Sequence, residues 1–283
     1  MQDLRIAVAQ MTCIVGDSGT NLDRIEGFVQ QAEATGVDIL CLPELCISGY
    51  NAGDNDHPVA EGIEGESVQR LADLGRSSGL VFLAGLLERD IGGIVYNTQL
   101  VFGPNGVHGY YRKTHVPTAE NGTWRQADEL PVFDHDTARF GIEICYDSHF
   151  PEVSTELAER GAEILFFPHA SGGETYQDKL ARWLRYMPAR AYDNAVYVAV
   201  CNQVGDNGAG RVFTGVSFIL DAHGQVVAQS QNGDCEEMVV ADLRAADLLA
   251  ARRVPEMFFR HFRRPGLYSR WRIERGIPTP GDP

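Results

Sequence analysis

The sequence predicts an α/β fold in which two mixed β-sheets pack together and helices cover their outer faces. Three observations carry that expectation. Near the start, short apolar strand runs alternate with helical periods, the grammar of a βαβ unit. The grammar returns in the middle of the chain, where Gly161-Ala-Glu-Ile-Leu-Phe-Phe-Pro-His169 parallels Gly36-Val-Asp-Ile-Leu-Cys-Leu-Pro-Glu44, so two similar half-sheets are expected. Gly103-Pro-Asn-Gly106 and Asp221-Ala-His-Gly224 each divide two strand candidates as hairpin loops do, which mixes antiparallel pairs with the parallel ones.

The elements follow in order. Leu4–Gln10 is a β-branched run and reads as a strand; Asn21–Ala34 carries Leu22, Ile25, Phe28, Val29 and Ala32 at helical spacing. Gly36 closes that helix, and the continuous apolar run Val37–Pro43 suits a strand buried on both faces. Ser67–Ser77 reads as a helix, and Leu80–Leu87, Val95–Phe102 and Gly109–Arg112 as strands. The second half opens with a strand over Phe140–Cys145, a helix over Glu152–Arg160 and a strand over Ala162–Pro168. One helix over Tyr176–Asn194 and strands at Ala195–Cys201, Val216–Leu220 and Met238–Asp242 complete the body. The tail 252–283, with Arg253, Arg260, Arg263 and Arg264 among Phe258, Phe259, Phe262 and Tyr268, suits packing on an acidic body or a second subunit. Residues 1–283 are expected to form a single domain.

The 283 residues are 44% hydrophobic and 22% charged, ample for a sizeable core. A formal charge of −15 disfavours nucleic acid, whose phosphates demand clustered cations. No apolar run approaches the roughly 20 residues of a membrane span, and no leader pattern opens the sequence, so a cytoplasmic protein is expected. Six cysteines without a C-x-x-C pair suggest reduced thiols, with neither disulfide framework nor zinc site. Asp54-Asn-Asp-His57 and Asp134-His-Asp136 read as solvated loops rather than metal sites.

Open α/β sheets present reactive side chains at the carboxyl ends of their strands. There stand Glu44 after Val37–Pro43, Lys113 after Gly109–Arg112, and Cys145 at the end of Phe140–Ile144. A helix N-terminus and the Lys113 charge would both favour a Cys145 thiolate. Glu44 suits general acid–base work on the thiol, the departing amine and a later water. Lys113 and the backbone N–H of Tyr146 suit an oxyanion. His149 and His169 offer a rival Cys–His pairing without a fixed spacing.

These residues lie in motifs that resemble those of the nitrilase superfamily, the carbon–nitrogen hydrolases with a Glu-Lys-Cys triad. Leu42-Pro-Glu-Leu-Cys-Ile-Ser-Gly-Tyr50 resembles the glutamate motif, Tyr111-Arg-Lys-Thr-His-Val-Pro117 the lysine motif and Cys145-Tyr-Asp-Ser-His-Phe-Pro-Glu152 the cysteine motif. The resemblance runs from Leu4-Arg-Ile-Ala-Val-Ala-Gln10 to Arg263-Arg-Pro-Gly-Leu-Tyr268. It implies a four-layer α-β-β-α sandwich, assembly into a homodimer or larger oligomer, and catalysis without metal or organic cofactor. It also implies a second glutamate after the lysine motif, at Glu120, with Glu129 the weaker alternative.

Nitrile hydrolases of the superfamily carry Cys-Trp-Glu, whereas Cys145-Tyr-Asp147 is similar to the amidase and carbamoylase branches. Hydrolysis of a linear amide or an N-carbamoyl amine through a cysteine thioester, releasing ammonia, is the resulting expectation. Acyl transfer through the same thioester and a catalytically idle scaffold are the alternatives. Ser148 and His149 occupy the places where D-amino acid carbamoylases hold paired arginines, which disfavours anionic N-carbamoyl amino acids. The pocket wall is expected from Tyr50, Tyr146, His149, Ala170, Ser171, Glu174 and Tyr176, with Glu174 favouring a cationic or neutral substrate.

Overall fold

The computed structural model describes residues 1–51, 59–118, 120 and 124–274, the last four by backbone alone. Its first half runs Leu4–Gln10 (β1), Ser18–Ala34 (α1), Ile39–Cys41 (β2), Glu66–Ser78 (α2), Val81–Arg89 (β3), Val95–Gly103 (β4) and Gly106–Arg112 (β5). The second half runs Val132–Asp134 (β6), Arg139–Ile142 (β7), Pro151–Glu159 (α3), Ile164–His169 (β8), Tyr176–Trp183 (α4), Met187–Asn194 (α5) and Tyr197–Asn202 (β9). Short strands Gly205–Asp206 (β10), Val212–Phe213 (β11), Phe218–Leu220 (β12) and Val226–Gln229 (β13) follow, then Glu237–Leu243 (β14), Ala245–Arg252 (α6) and Pro265–Glu274 (α7).

Two six-stranded sheets result, ordered β14-β1-β2-β3-β4-β5 and β6-β7-β8-β9-β12-β13. Each reads antiparallel, parallel, parallel, antiparallel, antiparallel along that order. The related segments Gly36–Glu44 and Gly161–His169 therefore feed strands β2 and β8 at the same place in two matching sheets. Between the sheets lies a core of Ile6, Val8, Ile39, Leu83, Phe140, Ile142, Ile164, Phe166 and Ala199. The opposite face of the first sheet packs on α1 and α2 through Leu22, Ile25, Phe28, Val68 and Leu71. That of the second packs on α3, α4 and α5 through Leu157, Trp183, Met187 and Ala191. The four layers are α-β-β-α.

One sequence expectation is corrected. Tyr176–Asn194 is two helices, because Pro188 lacks an N–H and its ring crowds the carbonyl four residues back. It sits instead in the first turn of α5, where both properties are harmless. β6 and the β10–β11 pair are too short to leave a periodic signal. The tail packs on the second helical layer, Phe259 against Tyr192 at 5.6 Å and Arg260 beside Glu159 at 3.6 Å. Among the described residues no helix is long and apolar enough to cross a membrane.

Candidate active site

Glu44 leaves the carboxyl end of β2 in a turn whose Leu45 has φ +51°, a left-handed conformation costly for a side-chain-bearing residue. Gly85 on β3 makes room for that turn, since a Cβ there would lie 2.2 Å from the Leu45 nitrogen. Cys145 leaves the end of β7 with φ +48° and opens a 3₁₀ turn, Cys145–His149, with α3 starting only at Pro151. Both sharp turns bring their side chains into the gap between the sheets.

Lys113 supplies the cation. Its Nζ donates to Glu44 Oε1 and to Glu120 Oε2, each at 2.9 Å, with all three side chains buried. Asn97 Nδ2 donates to Glu44 Oε1 at 2.7 Å and the Ala170 N–H to Oε2 at 2.7 Å, while Gln203 Nε2 holds the Glu44 carbonyl. Tyr50 OH donates to Glu120 Oε1 at 2.5 Å. The Tyr50 ring meets Trp124 and Phe213 edge-on at 5.6 and 6.1 Å. Ala170 joins that apolar wall, and its N–H also faces the Cys145 sulfur.

Electrostatics sort the groups. Burial alone would lower the Lys113 ammonium, but Glu44, Cys145 and Glu120 outweigh it and hold it charged, well above its ordinary value. Burial and the Glu44 charge raise the Glu120 carboxyl against the pull of Lys113. Burial, with Glu44 and Glu120, pushes the Cys145 thiol well up; Lys113 and the Ala170 N–H offset only part. The expected resting thiolate is therefore replaced by a thiol. The helix that was to stabilise it begins six residues later, and two carboxylates face the sulfur. A nucleophile of this kind needs a base at the moment of attack.

The remaining pocket expectations divide. Tyr146 is exposed at the mouth, its ring 5.6 Å from His149, which in turn lies 4.8 Å from Tyr186. Its N–H lies in the first turn of the 3₁₀ segment, where helices leave donors without internal acceptors. Ser171 exchanges hydrogen bonds with the Asn202 amide at 2.8 and 2.9 Å. Glu174 does not offer a free carboxylate, because Arg182 grips it at 2.7 to 3.0 Å. Tyr176 turns its hydroxyl to the Ser230 carbonyl. Glu129 is exposed, as expected of a solvated stretch. His169 stacks on Trp183 at 4.3 Å. Asp134 pairs with Arg139, and Asp54–His57 lies outside the described residues.

Asn97 and Gln203 carry no signal in the sequence beyond a polar residue within or just past an apolar strand. Asp147 is a further anchor that no local signal marks. The buried Asp147 carboxylate accepts from the N–H groups of Ile144 and His115, from Thr114 Oγ1 and from Tyr111 OH at 2.7 to 3.0 Å. It thereby ties the cysteine turn to the lysine segment.

Comparison with known proteins settles the family. The family model for carbon–nitrogen hydrolases matches residues 5–253. The chain belongs to the carbon–nitrogen hydrolase family. This carbon–nitrogen hydrolase is 31% identical over 279 residues to the omega-amidase NIT2 of Homo sapiens, covering 95% of this chain and 98% of that protein. It is 32% identical to a nitrilase of Pyrococcus abyssi, over 85% of this chain and 89% of the other. Among solved structures, the amidase of Nesterenkonia sp. AN1 in complex with butyramide superposes with a TM-score of 0.82 at 26% identity, covering 95% of this chain and 97% of that one. A variant of that amidase carries the acetamide moiety of fluoroacetamide on its active-site cysteine.

Proposed function

We propose that this carbon–nitrogen hydrolase cleaves linear amides through a thioester on Cys145, releasing ammonia. The observation that carries the reading is the buried Glu44–Lys113–Glu120 array facing a cysteine in a sharp turn. Amidase relatives support amides over nitriles. Glu44 takes the Sγ proton as sulfur adds to the amide carbon. Two ammonium hydrogens of Lys113 go to the carboxylates, which leaves the third for the new oxyanion, beside the N–H of Tyr146. Glu44 then protonates the amine, the C–N bond breaks and ammonia leaves. A water deprotonated by Glu44 attacks the thioester, and the carboxylic acid departs as the thiol regains its proton. Glu120, held by Tyr50, positions the substrate amide.

N-carbamoyl amines fall within the same proposal, since their terminal amide presents the same carbonyl and amine. A homodimer and a cytoplasmic location complete it, supported by the exposed aromatic tail and by free cysteines at all six positions. Ammonia release from a panel of aliphatic amides and N-carbamoyl amines tests the reading. Release by the wild type that vanishes in Cys145→Ala is expected; equal release from both proteins would overturn it.

A further inference from the structure

A second buried cation lies beside this site and takes no part in the chemistry above. Lys179, on α4, is wholly buried. Its Nζ donates to the Ser171 carbonyl, has the Gly172 carbonyl at 3.5 Å and lies 5.9 Å from the centre of the Trp183 ring. No carboxylate stands within ion-pair distance among the described residues. Burying an ammonium against carbonyls alone is costly, so what it holds is informative. The Ser171 carbonyl also accepts from Asn202 Nδ2. One residue earlier, the Ala170 N–H donates to Glu44 Oε2 and faces the Cys145 sulfur.

We propose that Lys179 is a positioning residue: its ammonium pins the Ser171–Gly172 peptide so that the Ala170 N–H stays on Glu44 and beside Cys145. The proposal rests on the roles given above to Glu44 and Cys145. Burial lowers Lys179 to about 8, with Arg182 pushing the same way and Glu174 and Cys145 opposing. The other titratable side chain facing it is His169 on β8. The clamp therefore loses its charge, and weakens, as pH rises through about 8.

The test compares wild type, Lys179→Met and Cys145→Ala with a simple amide. Lys179→Met keeps length and removes charge, so kcat falls between about tenfold and a hundredfold through a misplaced Glu44, while KM changes by less than about threefold. The wild-type kcat declines above about pH 8, and the variant lacks that decline. Unchanged kcat and pH profile in Lys179→Met would overturn the proposal. A wild-type kcat that stays flat from about pH 7.5 to about 9.5 would overturn it even where the variant fails to fold. Activity in Cys145→Ala would instead remove the thioester reading on which the proposal stands.

Discussion

The Lys113 ammonium stands 2.9 Å from Oε1 of Glu44 and 2.9 Å from Oε2 of Glu120, so one buried cation serves two buried carboxylates. Deleting the cation leaves both carboxylates buried and facing each other. Lys113→Met should lose about 3 to 5 kcal/mol of stability together with turnover. Urea unfolding checks it, and an unchanged midpoint would contradict the arrangement.

In the proposed reaction Glu44 carries one proton from the thiol to the amine and a second from water back to the sulfur, so its loss should stop turnover rather than weaken binding. Glu44→Gln should lower kcat at least about a thousandfold, roughly 4 kcal/mol of barrier, while KM changes by less than about threefold. Steady-state kinetics reads both constants; residual turnover within tenfold of wild type would contradict the role.

Asp147 supports the nucleophile turn from below. Asp147→Ala leaves the Ile144 and His115 N–H groups and two hydroxyls without their acceptor, at about 1 to 3 kcal/mol for each buried group left unsatisfied. We expect a large drop in Tm and lost activity, with Asp147→Asn intermediate. Wild-type behaviour of the alanine variant would show that the turn holds without it.

Glu174 sits in a half-exposed pair with Arg182. Such a pair contributes about 0 to 1 kcal/mol, and its carboxylate is already neutralised. Glu174→Ala should leave Tm and the preference between cationic and neutral amides nearly unchanged. A large selective loss for cationic amides would restore the specificity role expected from charge alone.

His169 is buried against Trp183, and burial holds its pKa well below the ordinary 6.5. Its folded pKa lies below its unfolded one, so stability is full above pH 6.5 and is lost as pH falls below it. The slope is at most about 1.4 kcal/mol per pH unit from this residue. Unfolding of wild type and His169→Gln between pH 7 and about 5 should show a slope steeper in the wild type by up to that amount, and equal slopes would contradict the assignment.

The layers and the triad were legible because their signals are local. Apolar runs marked the strands, the repeat between Gly36–Glu44 and Gly161–His169 marked the matching sheets, and strand-end position marked Glu44, Lys113 and Cys145. What stayed hidden depends on contacts between distant segments. The protonation of Cys145 is set by burial and by two carboxylates, Glu44 and Glu120, carried on turns distant in the chain. Arg182 on α4 pairs with Glu174 in the loop before that helix, and Asn97 on β4 and Gln203, just past β9 in the other sheet, both reach Glu44. The helix break at Pro188 was visible in the sequence and was outweighed by the apolar period around it.

The central claim is a thioester on Cys145, and intact-mass analysis of enzyme quenched during turnover of a slow amide tests it most directly. An acyl addition that maps to Cys145, decays with ammonia already released and is absent from Cys145→Ala is the expected result. Ammonia released at the wild-type rate with no addition at any time, or an addition on another residue, would contradict it.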